Sequence, residues 1–380
     1  VDARRSDTAA PVTPADGWSV LAPLAPGGDA HTEEWELWRA GERLAALPVR
    51  VRVGKPLDVR RLRPVDPAGS REYLRGLEAD AAALRAGGLT ARPDCPCCGA
   101  AAADAAPEVT VTGMAYVRCP ACRHLYVGRQ PTPEALRHRF ATADDLAGVY
   151  TDAASLEVRM AQVVRPKLAW ALDAAARDGR GAESLVDLGA GGGHFVAAAR
   201  QAGLRATGYE LSAASCAFAR EVLGVELVRG DAMAAEPGEP ADLVTLWGVL
   251  EYVPEPRAFV RQAARHLAPG GLLVAEVPRA DALSAALAGA FPGTVTRHLE
   301  PTSHLNVFSD ASLATLLWDA GFAPVAAWYF GMDAYELLSQ LALRVPAEAA
   351  EALAVPLLGL QDALDRARLC DDVIVAAVRR

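Results

Sequence analysis

Residues 184–211 read SLVDLGAGGGHFVAAARQAGLRATGYEL, and this stretch decides the fold class. Ser184–Leu188 is a short apolar run of the kind found in a buried strand. It enters a turn holding Gly189, Gly191, Gly192 and Gly193, and an amphipathic helix is expected from about His194 to Gln201. Arg205 to Leu211 forms a second strand that ends on an acid, Glu210. Strand, glycine turn, helix, strand and terminal acid make half of a nucleotide-binding α/β unit. Glycines suit a turn whose backbone must lie against a ligand. The exposed amides at the following helix N-terminus face the bound group. Glu210 is then placed to accept hydrogen bonds from a ribose diol.

A dinucleotide site would carry Gly-x-Gly-x-x-Gly, but the sixth position here is His194. The chain instead has Asp187-x-Gly189-x-Gly191-x-Gly193, with Ala190 inside the turn. This pattern resembles the first motif of the class I S-adenosylmethionine-dependent methyltransferases. The resemblance runs over roughly residues 150–380. It implies a Rossmann-like, seven-stranded α/β sheet with helices on both faces and an antiparallel pair at one edge. It also implies S-adenosyl-L-methionine as cofactor, with Asp187 near the methionine amino group and Glu210 on the ribose, followed by Leu211. Asp231 and Ala232 would meet the adenine, Trp247 and Gly248 would line the methionine side, and Tyr150 would help close the pocket.

The alternation along the chain agrees with that sheet. Strands are expected at 226–231, 242–247, 272–277, 324–330 and 372–378, with helices between them. Two insertions interrupt it. One covers 279–308; the other, 331–370, reads as helices and is expected to serve as a lid or a homodimer contact.

Ahead of the sheet lie five of the seven cysteines, within 28 residues. Cys95-x-x-Cys98-Gly99 and Cys119-x-x-Cys122 form two knuckles separated by 20 residues. A hairpin over 109–112 and 114–118 is expected between them. Paired cysteines at this spacing point to a tetrahedral, structural zinc in a zinc ribbon. Cys97 does not keep the two-residue spacing and is left out of the set. The expected organisation is an N-terminal extension over 1–90 and the ribbon over 91–130. A helical linker and cofactor cover over 131–180 and the catalytic domain over 181–380 complete it. Within the extension, residues 1–30 read as a tail, 32–47 as a helix, 48–53 as a strand and Ser70–Ala86 as a helix capped by Ser70.

Methyl transfer from a sulfonium needs orientation and, for a protonated acceptor, a base. Candidates are Glu251, Tyr252 and His304, with His298 and Glu300 behind them. Many relatives carry Glu-His after the fourth strand where this chain has Glu251-Tyr252, so the histidine base there is absent. The ribbon ahead of the sheet is similar in architecture to bacterial sugar and secondary-metabolite tailoring enzymes, which implies a small-molecule acceptor. An RNA methyltransferase using the ribbon for contact, and a non-catalytic cofactor-binding partner, are the alternatives. A net charge of −9 counts against nucleic acid, although 50–75 is locally basic. Composition (52% hydrophobic, 22% charged) is that of a globular chain. With no leader and no membrane-length apolar run, a cytoplasmic location without membrane contact is expected.

Overall fold

Ser184–Leu188 lies at the centre of the molecule, and four of its five residues are buried, as a strand covered on both faces requires. The computed structural model describes residues 18–21, 30–54, 67–102, 105–142, 151–153, 155–177, 181–291 and 297–380. Its strands in chain order begin with β1 (Trp18–Leu21), β2 (Ala30–Arg39) and β3 (Glu42–Val53). The ribbon region holds β4 (Thr90–Ala91), β5 (Pro107–Val111), β6 (Met114–Arg118), β7 (Leu125–Val127) and β8 (Arg129–Gln130). Next come β9 (Ser184–Leu188), β10 (Arg205–Glu210), β11 (Val228–Arg229), β12 (Ala241–Trp247) and β13 (Leu267–Pro278). The last are β14 (Asn306–Val307), β15 (Phe322–Phe330) and β16 (Asp372–Arg379).

Strands β11-β10-β9-β12-β13 run parallel, then β16 and β15 close the seven-stranded order. β16 is antiparallel to both neighbours, with Val274 opposite Ala376 and Trp328 opposite Ile374. The order reverses between β9 and β12, so the carboxyl ends of those strands form the crevice where ligands of such sheets bind. One face of the sheet packs on the helices around Met160–Ala176 and His194–Gln201, and the other on Pro256–Arg265, Asp310–Asp319 and the ribbon. The helix of residues 156–176 contains a π-turn at Met160–Val164, where the Arg165 N–H donates to the Met160 carbonyl. Pro166, which has no N–H and crowds the preceding turn, follows immediately.

Beyond the seven strands the sheet continues, and here the reading of residues 32–47 as a helix is overturned. β3 pairs parallel with β15, and β2 and β1 add to it, making ten strands. Glu33, Trp35 and Leu37 are buried at alternate positions, the period of a strand. Ala40 and Gly41 both have positive φ (48° and 79°) and connect β2 to β3 in a two-residue hairpin. Glu33 broke the apparent pattern because it is a buried acid. Its carboxylate accepts from His31 Nε2 (2.7 Å), from Trp35 Nε1 (3.1 Å) and from Arg368. Within the expected tail, residues 18–21 are strand, and the remainder of 1–29 lies outside the described residues. The helix expected from Ser70 begins at Pro67, so Ser70 sits inside it rather than capping it. The 331–370 insertion consists of helices Asp333–Ala342, Ala347–Leu358 and Gln361–Arg366. Among the described residues no helix is long and apolar enough to cross a membrane.

Trp35 is 4% exposed in the core that joins the added strands to the main sheet. Trp35→Ala should therefore lower stability by about 3–5 kcal/mol in a single urea transition. A change below about 0.5 kcal/mol, the range of surface substitutions, would mean that the hairpin is a detachable appendage.

Candidate active site

Three glycines shape the turn after β9. Gly189, Gly191 and Gly193 have φ of +78°, +52° and +79°. A Cβ on Gly189 would stand 2.8 Å from Val249, and one on Gly193 would stand 2.9 Å from Ala219. Those two are held by packing. Gly191 differs: a Cβ there would meet nothing within 4 Å among the described residues. Its N–H donates to Glu210 Oε2 (2.8 Å), while Ser212 N–H donates to Oε1 (2.7 Å). Glu210 thus ties the turn to the end of β10, and each oxygen keeps a lone pair for a further donor. Burial raises its carboxyl, against the opposing pull of these amides. Ala190 is buried, its N–H on the Tyr209 carbonyl, and Leu211 is half-buried next to Glu210.

Asp187 lies beneath this turn and is 1% exposed. Its Oδ1 accepts from Thr245 Oγ1 at 2.7 Å, and Oδ2 has no hydrogen-bond partner among the described residues. Burial pushes the acid up to about 7; the Thr245 hydroxyl pulls it down and the Glu210 charge adds to the rise. A buried carboxyl oxygen without a hydrogen bond calls for a cationic or hydrogen-bond-donating group. Asp231 caps the turn Ala232–Ala234 by accepting from Met233 N–H (2.9 Å), and stands 3.6 Å from Arg137 Nε. Ala232 is buried beside it. Trp247 stacks on Phe195, ring centroids 4.3 Å apart, and its indole N–H lacks a partner among the described residues. Gly248 has φ of +64°, and a Cβ there would stand 3.1 Å from Glu251 Oε1. Tyr150 lies outside the described residues.

The candidate acid–base residues converge past the end of β12. Glu251 is 4% exposed, and its Oε2 has no hydrogen-bond partner among the described residues. Burial holds its acid well above the usual carboxyl range; the Asp372 and Glu276 charges add to this and Arg297 opposes it. The Tyr252 ring lies 4.8 Å from that of His304, which lies 5.7 Å from His298. His304 Nδ1 is 3.2 Å from Ser303 Oγ and 3.8 Å from Glu300 Oε2. Sequence reasoning missed their neighbours. Lys167, from the helix around the π-turn, donates to both Glu276 oxygens at 2.5 Å, and Arg297 pairs with Asp371 and Asp372. The one signal for Lys167 was a lysine on an apolar helical face, in a chain with only one other lysine.

The cysteines form a second centre. The Sγ atoms of Cys95, Cys98, Cys119 and Cys122 all lie within 4.8 Å of one another, with 3.6 Å for the pairs 95–122 and 98–119. Four thiolates about 2.3 Å from one ion would be about 3.8 Å apart, so this donor set fits a tetrahedral soft cation. The knuckles match: Gly99 N–H donates to Cys95 O and Arg123 N–H to Cys119 O, and Gly99 and Arg123 both have positive φ. Cys97 is buried and stands outside the set. From the ribbon, β7 pairs antiparallel with β14, the segment just after His304. Tyr116 Oη donates to the His304 carbonyl (2.7 Å), His124 Nε2 contacts Asn306 Oδ1 (3.0 Å) and Ser309 Oγ donates to Cys122 O (3.0 Å).

Residues 156–327 match a family described as a methyltransferase domain. The ubiquinone biosynthesis O-methyltransferase of Stutzerimonas stutzeri strain A1501 is 36% identical over 96 residues, 23% of this chain and 41% of that protein. The trans-aconitate 2-methyltransferase of Azoarcus sp. strain BH72 is 35% identical over 101 residues, 26% of this chain and 40% of that one. The chain thus spans about two fifths of the length of these relatives. Among solved structures, the magnesium protoporphyrin IX methyltransferase from Synechocystis PCC 6803 aligns at 18% identity and TM-score 0.43, over 66% of this chain and 100% of that one. The 1,6-didemethyltoxoflavin-N1-methyltransferase from Burkholderia thailandensis aligns at 19% and 0.41, over 72% and 99%. The match to the methyltransferase-domain family covers residues 156–327, the part of the chain that carries the glycine turn and the parallel strands β9 to β13.

Proposed function

We propose that the protein transfers a methyl group from S-adenosylmethionine to a small-molecule acceptor. The observation that carries this reading is the glycine turn at Gly191, where a Cβ would meet nothing among the described residues and the backbone N–H is held by Glu210, with the Asp187 carboxyl buried at the end of the strand before it. Glu210 would hold the ribose diol with its remaining lone pairs, and Asp187 would pair with the ammonium of the methionine part. Asp231 and Ala232 would receive the adenine, with Trp247 and Gly248 along the methionine chain. When bound, the cofactor supplies a methyl group already activated on a sulfonium. The protein's task is then to orient the acceptor and hold its proton. Glu251 and Tyr252 follow β12, the Tyr252 ring lies against His304, and His304, with its neighbour Glu300, would be the group best placed to take a proton. A small acceptor is supported by the named relatives, whose names refer to ubiquinone biosynthesis and trans-aconitate, and by the net charge of −9, which disfavours RNA. The four ribbon cysteines would hold zinc, with no open position for substrate.

Calorimetry with S-adenosylhomocysteine, followed by transfer of labelled methyl to panels of phenols, hydroxy acids and carboxylates, tests the reading. Binding of a nicotinamide dinucleotide instead, or label appearing only in RNA, would overturn it. Glu210→Ala should weaken S-adenosylhomocysteine binding by about 1–3 kcal/mol through the lost hydrogen bonds; unchanged affinity would remove the ribose assignment. Asp187 must be ionised to pair with an ammonium, and its acid sits at about 7. Affinity should therefore rise with pH up to about 7 and then level off, falling by up to about tenfold per unit below it. In Asp187→Asn that slope should vanish, and an equal slope in the variant would exclude the pairing. Cys119→Ser should lose the protein's zinc while S-adenosylhomocysteine still binds; zinc retained at the wild-type level would refute the four-cysteine site.

A further inference from the structure

We propose that His298, Asp371 and Asp372 form a divalent-cation site at the acceptor end of the sheet, separate from the cysteine centre. His298 Nε2 lies 3.4 Å from Asp372 Oδ1 and 3.8 Å from Asp371 Oδ2, and one ligand atom from each of the three residues falls within 4.8 Å of the others. Nitrogen and oxygen ligands about 2.1 Å from one ion stand roughly 3–3.5 Å apart at right-angled to tetrahedral geometry, so little movement would close the set. The backbone holds the two acids firmly. Asp372 opens β16 between Pro278 of β13 and Phe330 of β15, and the Asp371 N–H donates to Asp333 Oδ2 at 2.9 Å.

The set is only partly compensated. His298 Nδ1 makes no hydrogen bond among the described residues, and Nε2 faces the two carboxylates. Asp371 is fully buried, its Oδ1 accepts from Met332 N–H (2.9 Å), and its Oδ2 has Arg297 as a charged neighbour. Glu251, close enough for Asp372 and Arg297 to act on its charge, has an Oε2 with no hydrogen-bond partner among the described residues. Arg297 fills part of the gap. Its guanidinium bonds Asp372 Oδ2 and lies 3.1 Å from Asp371 Oδ2, leaving Asp372 Oδ1 turned to His298. Two carboxylates against one guanidinium leave excess negative charge in a low-dielectric place, which a divalent ion would offset. Lys167 is committed elsewhere, to Glu276.

One imidazole and two carboxylates suit Mn2+, Zn2+ or Fe2+ and leave coordination positions open. An acceptor with two neighbouring oxygens could take those positions, and the ion would favour the deprotonated form of a bound hydroxyl. That role in acceptor binding rests on the methyl-transfer reading, whereas uptake of the cation does not. The test uses the full-length, zinc-loaded chain and Mn2+ as probe, because thiolates prefer softer ions. Loss of free Mn2+ signal in electron paramagnetic resonance should show one ion bound per chain. His298→Ala and Asp372→Asn should each weaken uptake by at least about tenfold while S-adenosylhomocysteine still binds, and Cys119→Ser should leave it unchanged. Pulsed resonance on the wild-type complex should show nitrogen coupling from an imidazole, a readout that needs no variant to fold. No uptake, uptake without nitrogen coupling, or uptake indifferent to His298→Ala would overturn the site. Failure of S-adenosylhomocysteine to bind would instead overturn the methyl-transfer reading alone.

Discussion

Two residues of backbone, Asn306 and Val307, join the ribbon to the segment that follows the main sheet's β13. They pair with Tyr126 and Leu125 of the ribbon, and Asn306 then spends its side chain on both partners. Its Nδ2 donates to the Leu250 and Val253 carbonyls, and its Oδ1 faces His124 Nε2. Asn306, His124 and Leu250 are buried, and Val253 is half-buried. A polar network with no access to water is costly unless every member is satisfied; here it locks the turn after β12 to the segment carrying His304. The Glu251 carbonyl accepts from Leu305 and Asn306 N–H, which adds a third tie. Burial lowers His124 to about 4, so it enters this network as a neutral imidazole. The ribbon therefore works as a clamp on the segment that carries His304. The cysteine knuckles hold its hairpins in register, and Cys122 O receives the hydroxyl of Ser309, the cap of the next helix.

The far edge of the sheet is handled by a different device. β15 would be an open edge in a seven-stranded sheet, a template for pairing with another chain. The β2–β3 hairpin covers it, and Arg52 lies over the Trp328 ring at 4.0 Å. The added strands also fix the C-terminal connection: Arg368 reaches Glu33, and both Arg368 and Arg279 lie over Tyr329. Arg279 in turn bonds the Arg368 and Cys370 carbonyls just before Asp371. The start of β16, on which the two site aspartates stand, is thus set from the opposite end of the chain.

What was legible in the sequence follows from the range of the interactions involved. The glycine turn and each cysteine knuckle are local patterns and read directly, and Glu210 lies only 19 residues beyond Gly191. The parallel sheet followed from the alternation of strands and helices. The hairpin over 30–53 was illegible because its strand period includes Glu33, whose partner Arg368 is 335 residues away. An acid at a buried position looks like the polar face of a helix until that partner is known. Arg297, Asp371, Asp372 and Lys167 were missed for the same reason, since sequence distance hides which charges meet.

Some of the buried polar atoms without hydrogen bonds belong to acids and an imidazole near the ends of the strands. Native interiors leave few polar atoms unpaired, yet among the described residues Asp187 Oδ2, Glu251 Oε2 and His298 Nδ1 make no hydrogen bond. The turn from Trp247 to Glu251 carries one of them. Its Trp247 indole N–H also lacks a partner among the described residues, Gly248 N–H donates to the Glu276 carbonyl, and a Cβ on Gly248 would crowd Glu251. Burying ionisable groups in this way lowers stability unless something binds there. A protein that needed only to stand up would have filled these positions with apolar side chains. That they are acids and an imidazole near the carboxyl ends of the strands is the pattern expected at a functional site.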